Sequence, residues 1–421
     1  MLISIIIGNG ASMKKITVNG PAKLSGEVTV SGSKNAALPI IFATLITEGI
    51  SELRRLPDIG DVRVALDIIR SFGAEVLSMD GVTYIDTRRL SYCQPSEEQT
   101  AKIRASTYLL GACLSRFGRC RLSSFGGCNF ALRPIDMHID ACLALGAEMR
   151  EGEIFAQRLL GSEITFKKQS VGATVNAILL AVSAEGESVI RGFATEPHID
   201  ALIDFLLSAG ASIERTEDEM RIVGRRLHGG KATVIGDMIE AGTYLSVALA
   251  TGGKVRVRDC PFVDMSSFFK TLTAFGAENR MSGNVFSTSL RGRGEYISVT
   301  ALPYPGFPTD LQPIIAPLMA IGSGGDITDT VWHTRFGYLD TLSDFGIRSE
   351  LSGNRARIYP SKISPAKVTA PDLRGGAACL ISALAAEGQS EIYSAEIILR
   401  GYENLTEKLR ALGADINIQE F

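Results

Sequence analysis

The chain of 421 residues is short of several residue types that would mark a special class. Its four histidines, at 138, 198, 228 and 333, do not cluster at metal-ligand spacing, which argues against a structural or catalytic zinc. Its seven cysteines, at 93, 113, 120, 128, 142, 260 and 379, are odd in number and contain no Cys-x-x-Cys. That excludes a disulfide scaffold and fits a reducing, cytoplasmic setting. No block of like charge occurs and the net charge is −3, so nothing points to nucleic acid or an anionic membrane. The longest apolar run, Ala36–Ile46, has Pro39 inside it and is about half of a membrane span. Residues 1–12 lack a basic start and make a poor signal peptide; with Met13-Lys14-Lys15 as a natural second start, they read as an extension or a misassigned start.

What the chain does have is a repeat. Six times a helix-like run ends in Gly and passes into a new apolar stretch, at Gly73, Gly146, Gly210, Gly276, Gly346 and Gly413. The steps are 73, 64, 66, 70 and 67 residues. Gly just past a helix end supplies a left-handed cap, and the residues after it open a strand. A second series keeps step: apolar helix-like segments begin near Lys34, Arg104, Ser170, Glu240, Asp310 and Arg374. Their bodies are apolar nearly all round, as in Ala-Ile-Leu-Leu-Ala-Val at 177–182, so they belong inside a domain. The period is too long for a solenoid, which predicts an α/β fold of six packed units, three to each half of the chain. Polar residues sit at the N-terminal ends, where free N–H groups and the helix dipole favour anions. Six such ends suit a highly anionic ligand; simple capping explains any one of them alone.

Residues 123–138 carry the densest chemistry. Gly126-Gly127 allows an irregular turn and Pro134 suits a first helical turn, so Cys128 is expected on a loop with Arg133 just before a helix. Cys113, Cys142 and Cys379 lie in apolar runs and read as buried, as do Cys120 and Cys260. Cys128 differs, since a nearby cation on an exposed loop can poise a thiol; the loop alone leaves a reactive and an inert thiol both open. Lys34 opens an apolar helix, where a buried ammonium needs an anionic partner and a solvated one does not. Asp310, before the uncharged run 311–325, is either a plain N-cap or a base in a dry cleft.

These runs together resemble the enolpyruvyl transferases, and within them the branch acting on UDP-N-acetylglucosamine. The resemblance spans Met13 to the C-terminus. It rests on Ser-Gly-Ser-Lys34-Asn35-Ala-Ala-Leu-Pro, Gly-Gly-Cys128 followed by Arg133-Pro-Ile-Asp136-Met-His138, Ser170-Val-Gly172-Ala-Thr, Phe-Pro-Thr-Asp310 and Arg400-Gly-Tyr-Glu. It implies a two-domain inside-out α/β barrel of six βαβαββ-type units, with the active site in the cleft between domains. One domain would hold residues 34–236, and the other 13–33 and 237–421. The implied reaction moves the enolpyruvyl group of phosphoenolpyruvate to the 3-hydroxyl of UDP-N-acetylglucosamine and releases phosphate, the first committed step of peptidoglycan precursor synthesis. No metal or organic cofactor is implied, nor any nucleic-acid or membrane partner, and the expected state is a cytoplasmic monomer or weak homo-oligomer.

The resemblance also assigns roles. Cys128 matches the proton donor, which can also add covalently to the enolpyruvyl group, and Asp310 the group that deprotonates the sugar hydroxyl. Lys34, Arg133 and Arg400 match the cations around phosphoenolpyruvate, with Asn35 beside them. Arg104, Arg133, Pro134, Ile135, Asp136, Met137, Lys168, Ser170, Val171, Gly172 and Val331 match positions that bind the UDP-sugar, and Arg335 and Arg374 further arginines near the cleft. Some positions depart from the family pattern: Phe125 for Pro, Ala131 for Gly, Tyr108 for Trp and Met238 for Arg. The shikimate-phosphate transferases are the rival within the fold, but they carry a Gly-Asn-Ala-Gly-Thr-Ala run where this chain has Ile-Arg104-Ala-Ser-Thr, and lack the Gly-Gly-Cys loop. A non-catalytic, UDP-sugar-binding regulatory paralogue would be expected to lose Cys128, Lys34 or Asp310, and all three are present.

Overall fold

The computed structural model describes residues 13–121, 134–260, 265–292 and 294–421. The six glycines of the first series all adopt φ between +82° and +102°. A side chain is disfavoured at that φ, so glycine lets the chain leave the helix and turn at once into a strand. The helices that these glycines end are Gly60–Ser71, Asp136–Ala144, Pro197–Ser208, Ser266–Ala274, Tyr338–Ser343 and Leu405–Ala411. The second series forms the inner helices Lys34–Ala43, Leu109–Phe117, Val171–Ala181, Met238–Ala250, Gln312–Ile321 and Leu373–Ala385. Every residue from Ala173 to Ala181, and from Leu373 to Leu384, is buried. Each large apolar side chain so removed from water stabilises the fold by about 1.5–3 kcal/mol before entropy is counted.

Two compact units result. One comprises Ser31–Met238 with Pro303–Pro305; the other comprises the chain up to Val30, Ile239–Leu302 and Gly306–Phe421. The short excursion at 303–305 has no signal in the sequence.

In the Ser31–Met238 unit, two four-stranded sheets have the same plan: an outer strand, a parallel partner, then an antiparallel hairpin. Lys231–Thr233 pairs in parallel with Ile50–Arg54, which pairs antiparallel with Val82–Asp86 and through it with Glu75–Met79. Glu163–Thr165, Glu187–Arg191, Glu219–Val223 and Ser212–Arg215 repeat this order. A third sheet has three strands among the described residues, Arg119–Arg121, Glu153–Phe155 and Glu148–Arg150. The other unit has three sheets on the same plan. Their parallel pairs are Ser25–Thr29 with Lys254–Arg258, Ile297–Ala301 with Gly325–Asp329, and Lys367–Thr369 with Gly388–Tyr393. In the last sheet the hairpin position is filled from both chain ends, by Lys14–Gly20 and Asp415–Glu420. No helix among the described residues is long and apolar enough to cross a membrane.

Candidate active site

The inner helices start where the charged and polar candidates stand. Asp310 lies in a single 3₁₀ turn, Thr309–Leu311, that leads into Gln312–Ile321. Its Oδ1 accepts from Arg335 Nη1 at 2.6 Å, and Oδ2 from Arg374 Nη2 at 3.1 Å and Nε at 3.3 Å. Both arginines are buried, and a buried guanidinium needs a carboxylate and hydrogen bonds to offset its lost hydration. Asp372 fixes the start of the helix that carries Arg374, accepting from Arg374 N and Gly375 N at 2.9 and 3.0 Å. The Arg374 guanidinium also lies 5.5 Å from the centre of the Tyr402 ring, a cation–π distance. Gln312 Nε2 donates to Arg335 O at 3.2 Å, tying the second arginine to the same helix start.

A fully buried carboxylate, Asp329, extends this cluster. Its Oδ1 accepts from Val331 N at 2.9 Å and Trp332 N at 2.7 Å, which sets the turn holding Val331. Its Oδ2 accepts from Thr309 Oγ1 at 2.6 Å, and Thr309 Oγ1 accepts in turn from Arg335 Nη1 at 3.2 Å. The structure thus brings Asp310, Arg335, Arg374 and Val331 into one bonded network. Arg400, half-buried just past the short helix Glu396–Leu399, belongs to the same unit.

In the Ser31–Met238 unit, Lys34 is the first residue of its helix, and its amide donates to Asp237 Oδ2 at 3.1 Å. Its ammonium lies 3.2 Å from Asp61 Oδ2, and both side chains are largely buried. Asn35 is half-buried beside Lys34. Arg104 opens a 3₁₀ stretch, Arg104–Tyr108, before the helix Leu109–Phe117, and burial pushes its pKa down. Burial also raises the Tyr108 phenol to about 12. Pro134 and Asp136 are exposed and Ile135 and Met137 half-buried at the start of Asp136–Ala144. Ser170 caps Val171–Ala181, accepting from Ala173 N at 3.3 Å, with Val171 and Gly172 half-buried and Lys168 exposed. His138 is buried and drawn down to about 4 by that burial and by Arg104, against a smaller opposing effect of Asp136. It is neutral at physiological pH.

Cys128 and Arg133, with Phe125 and Ala131, lie outside the described residues. Cys113, Cys120, Cys142, Cys260 and Cys379 are buried as expected, and Cys93 half-buried. Burial pushes the Cys142 thiol up to about 12, and the Cys379 thiol also well up, so these two are poor nucleophiles.

A family model for EPSP synthase (3-phosphoshikimate 1-carboxyvinyltransferase) matches residues 18–409. The chain belongs to this family. Its relatives include UDP-N-acetylglucosamine 1-carboxyvinyltransferase 3 of Caldanaerobacter subterraneus subsp. tengcongensis, 40% identical over 96% of this chain and 99% of that one. The UDP-N-acetylglucosamine 1-carboxyvinyltransferase of Halothermothrix orenii is 38% identical with the same coverage. Among solved structures, the enolpyruvyl transferase NikO from Streptomyces tendae matches 98% of this chain and 100% of its own at a TM-score of 0.88 and 25% identity. EPSP synthase from Acinetobacter baumannii matches 97% of this chain and 100% of its own at 0.72 and 17%. The fold is that of the enolpyruvyl transferases, the inside-out α/β barrel expected from the sequence.

Sequence reasoning missed Asp61, Asp329 and Asp372. Asp372, before Leu-Arg-Gly-Gly, carries an N-cap signal that could have been read. Asp61 carries none, because it is defined by Lys34, 27 residues away, and Asp329 is held by the local amides of Val331 and Trp332 together with Thr309, 20 residues away.

Proposed function

We propose that this chain transfers the enolpyruvyl group of phosphoenolpyruvate to the 3-hydroxyl of UDP-N-acetylglucosamine, releasing inorganic phosphate, as the first committed step of peptidoglycan precursor synthesis. Relatives of that name at 37–40% identity over nearly the whole chain support the acceptor. The observation that carries the chemistry is the Asp310 carboxylate held between two buried guanidiniums. In the proposed route Cys128 gives a proton to the methylene carbon of phosphoenolpyruvate while the sugar oxygen bonds to the neighbouring carbon. The hydroxyl proton goes to Asp310. The tetrahedral ketal then loses phosphate, which carries away the proton taken by Asp310, while the methyl proton returns to the Cys128 thiolate and the double bond is restored. Lys34, Arg133 and Arg400 hold the phosphate and carboxylate, for which guanidinium forks suit bidentate contact. Arg104, the run 134–137, Lys168, Ser170, Val171, Gly172 and Val331 hold the nucleotide sugar.

The geometry favours a second reading of Asp310. Both of its oxygens accept charged hydrogen bonds, which stabilise the carboxylate and weaken it as a base, so it suits orienting the hydroxyl as well as removing its proton.

No metal or organic cofactor enters this scheme, and the proposal includes a cytoplasmic monomer or weak homo-oligomer. Phosphate release from phosphoenolpyruvate should require UDP-N-acetylglucosamine. Turnover with shikimate 3-phosphate and none with the UDP-sugar would overturn the assignment, and absence of turnover with bound UDP-sugar would mark a regulatory paralogue. Fosfomycin, an epoxide phosphonate, should leave one adduct, on Cys128, and Cys128→Asp should resist it. Peptide mapping that finds another labelled cysteine would remove the role given to this thiol.

A further inference from the structure

One side chain joins the three segments that carry the candidate sugar-binding residues of the Ser31–Met238 unit. Asn176, within Val171–Ala181, is fully buried. Its Oδ1 accepts from Gly111 N at 2.7 Å. Its Nδ2 donates to Thr107 O at 3.1 Å and lies 2.7 Å from His138 Nδ1, with Gly172 O farther off at 3.4 Å. The amide cannot be turned round, because its NH₂ would then face the Gly111 N–H, donor against donor. An amide nitrogen has protons to give and none to receive. His138 Nδ1 is therefore the bare nitrogen, and the ring proton sits on Nε2.

The consequences run to each substrate segment. Thr107 belongs to the stretch that begins with Arg104. His138 stands one residue after the run 134–137, in the first turn of Asp136–Ala144. Asn176 follows Ser170–Gly172 by one helical turn. Gly172 completes the fit, since a Cβ there would come within 2.7 Å of His138 Cε1 and 3.0 Å of Nε2. The imidazole occupies the space that a side chain would need.

We propose that Asn176 and His138 are positioning residues that fix Arg104, the 134–137 run and the 170–172 run in one arrangement for the nucleotide end of the substrate. This rests on the assignment of those runs to UDP-N-acetylglucosamine. Neither side chain is asked to touch the reacting atoms.

The test is calorimetric binding of UDP-N-acetylglucosamine to the full chain, with KM for phosphoenolpyruvate measured alongside. Asn176→Asp keeps the shape and the Gly111 bond but loses both donors. It should weaken sugar binding by about tenfold or more, as expected for losing buried hydrogen bonds, and move the phosphoenolpyruvate KM by less than about twofold. His138→Asn keeps an acceptor close to where Nδ1 stood and should stay within about threefold of the parent, whereas His138→Leu should behave like Asn176→Asp. Nitrogen NMR of the parent should show His138 with Nδ1 bare. If Asn176→Asp does not fold, the two His138 variants decide. Equal binding by parent and variants, an Nδ1–H tautomer, or equal changes for both substrates would overturn the proposal. A parent protein that does not bind the UDP-sugar would instead overturn the functional reading and this proposal with it.

Discussion

Two buried polar regions of this protein solve the same problem in opposite ways. Around Asp310, formal charges are kept and paired: one carboxylate lies between two buried arginines, and a second, Asp329, is satisfied by a hydroxyl and two amides. The hydrogen-bonding partners of Asn176 are all neutral, since the amide carries no charge and burial, with the nearby Arg104, holds His138 unprotonated. Ions out of water need several partners each, and losing one partner strands the others. A neutral network is satisfied by fewer bonds and serves to fix geometry. The ionised region thus suits contact with reacting groups, and the neutral one suits alignment of the segments around it.

That contrast can be broken most strongly at Asp310. Asp310→Ala should cut phosphate release by about two to three orders of magnitude, the usual weight of a positioned acid–base group. It should also destabilise the fold by on the order of 2–3 kcal/mol, below the full cost of a broken buried pair because Asp310 itself is 28% exposed. Denaturant midpoints and a phosphate assay check both. Near-parental values in either would show that the arginines do not depend on this carboxylate.

The neutral region should respond to acid. His138 takes up a proton at about 6.5 in the unfolded chain but only at about 4 in the fold. Between those values the unfolded state holds more protons, so the His138 contribution is intact above about pH 6.5 and is lost as the pH falls toward 4. The loss should be on the order of 2–3 kcal/mol across the window. Melting midpoints at pH 6.5 and 4.5 should differ less for His138→Asn than for the parent. Identical pH dependence would mean that the imidazole is not held neutral.

A smaller effect is expected at Thr309, whose hydroxyl links Asp329 to Arg335. Thr309→Val should cost about 1–2 kcal/mol by leaving a buried carboxylate oxygen unsatisfied. Thr309→Ser should restore most of it. Equal stability for the two variants would remove Asp329 from the network. Smallest of all is Arg63→Ala. Its bonds to Asp58 at 2.6 and 2.7 Å are shorter than most in the buried cluster, yet both side chains are about two-thirds exposed. The change should stay within about 1 kcal/mol, the range of surface ion pairs, and a larger loss would show that burial is not what separates the two kinds of pair.

Much of the fold was legible in the chain. Gly73, Gly146, Gly210, Gly276, Gly346 and Gly413 declare themselves because only glycine enters that backbone conformation without strain. The inner helices declare themselves because an apolar surface on every face has nowhere to go but inward. The candidate site was legible unevenly. Lys34 and Asp310 stood out as charges at the starts of apolar runs, but their partners, Asp61 for one and Arg335 and Arg374 for the other, were seen only in the fold. Asn176 was not singled out in the sequence, because its partners Thr107, Gly111 and His138 lie 38 to 69 residues away along the chain.

The sequence by itself determined the sixfold repeat, the α/β class and the inward face of each helix, because local backbone preference and apolar period are properties of neighbouring residues. Only the tertiary structure decided which charge meets which. Asp61 on Lys34, Arg335 and Arg374 on Asp310, and His138 on Asn176 are contacts across 25 to 64 residues of chain. The energy of a buried polar group depends on the partner that replaces its water, and that partner is chosen by packing.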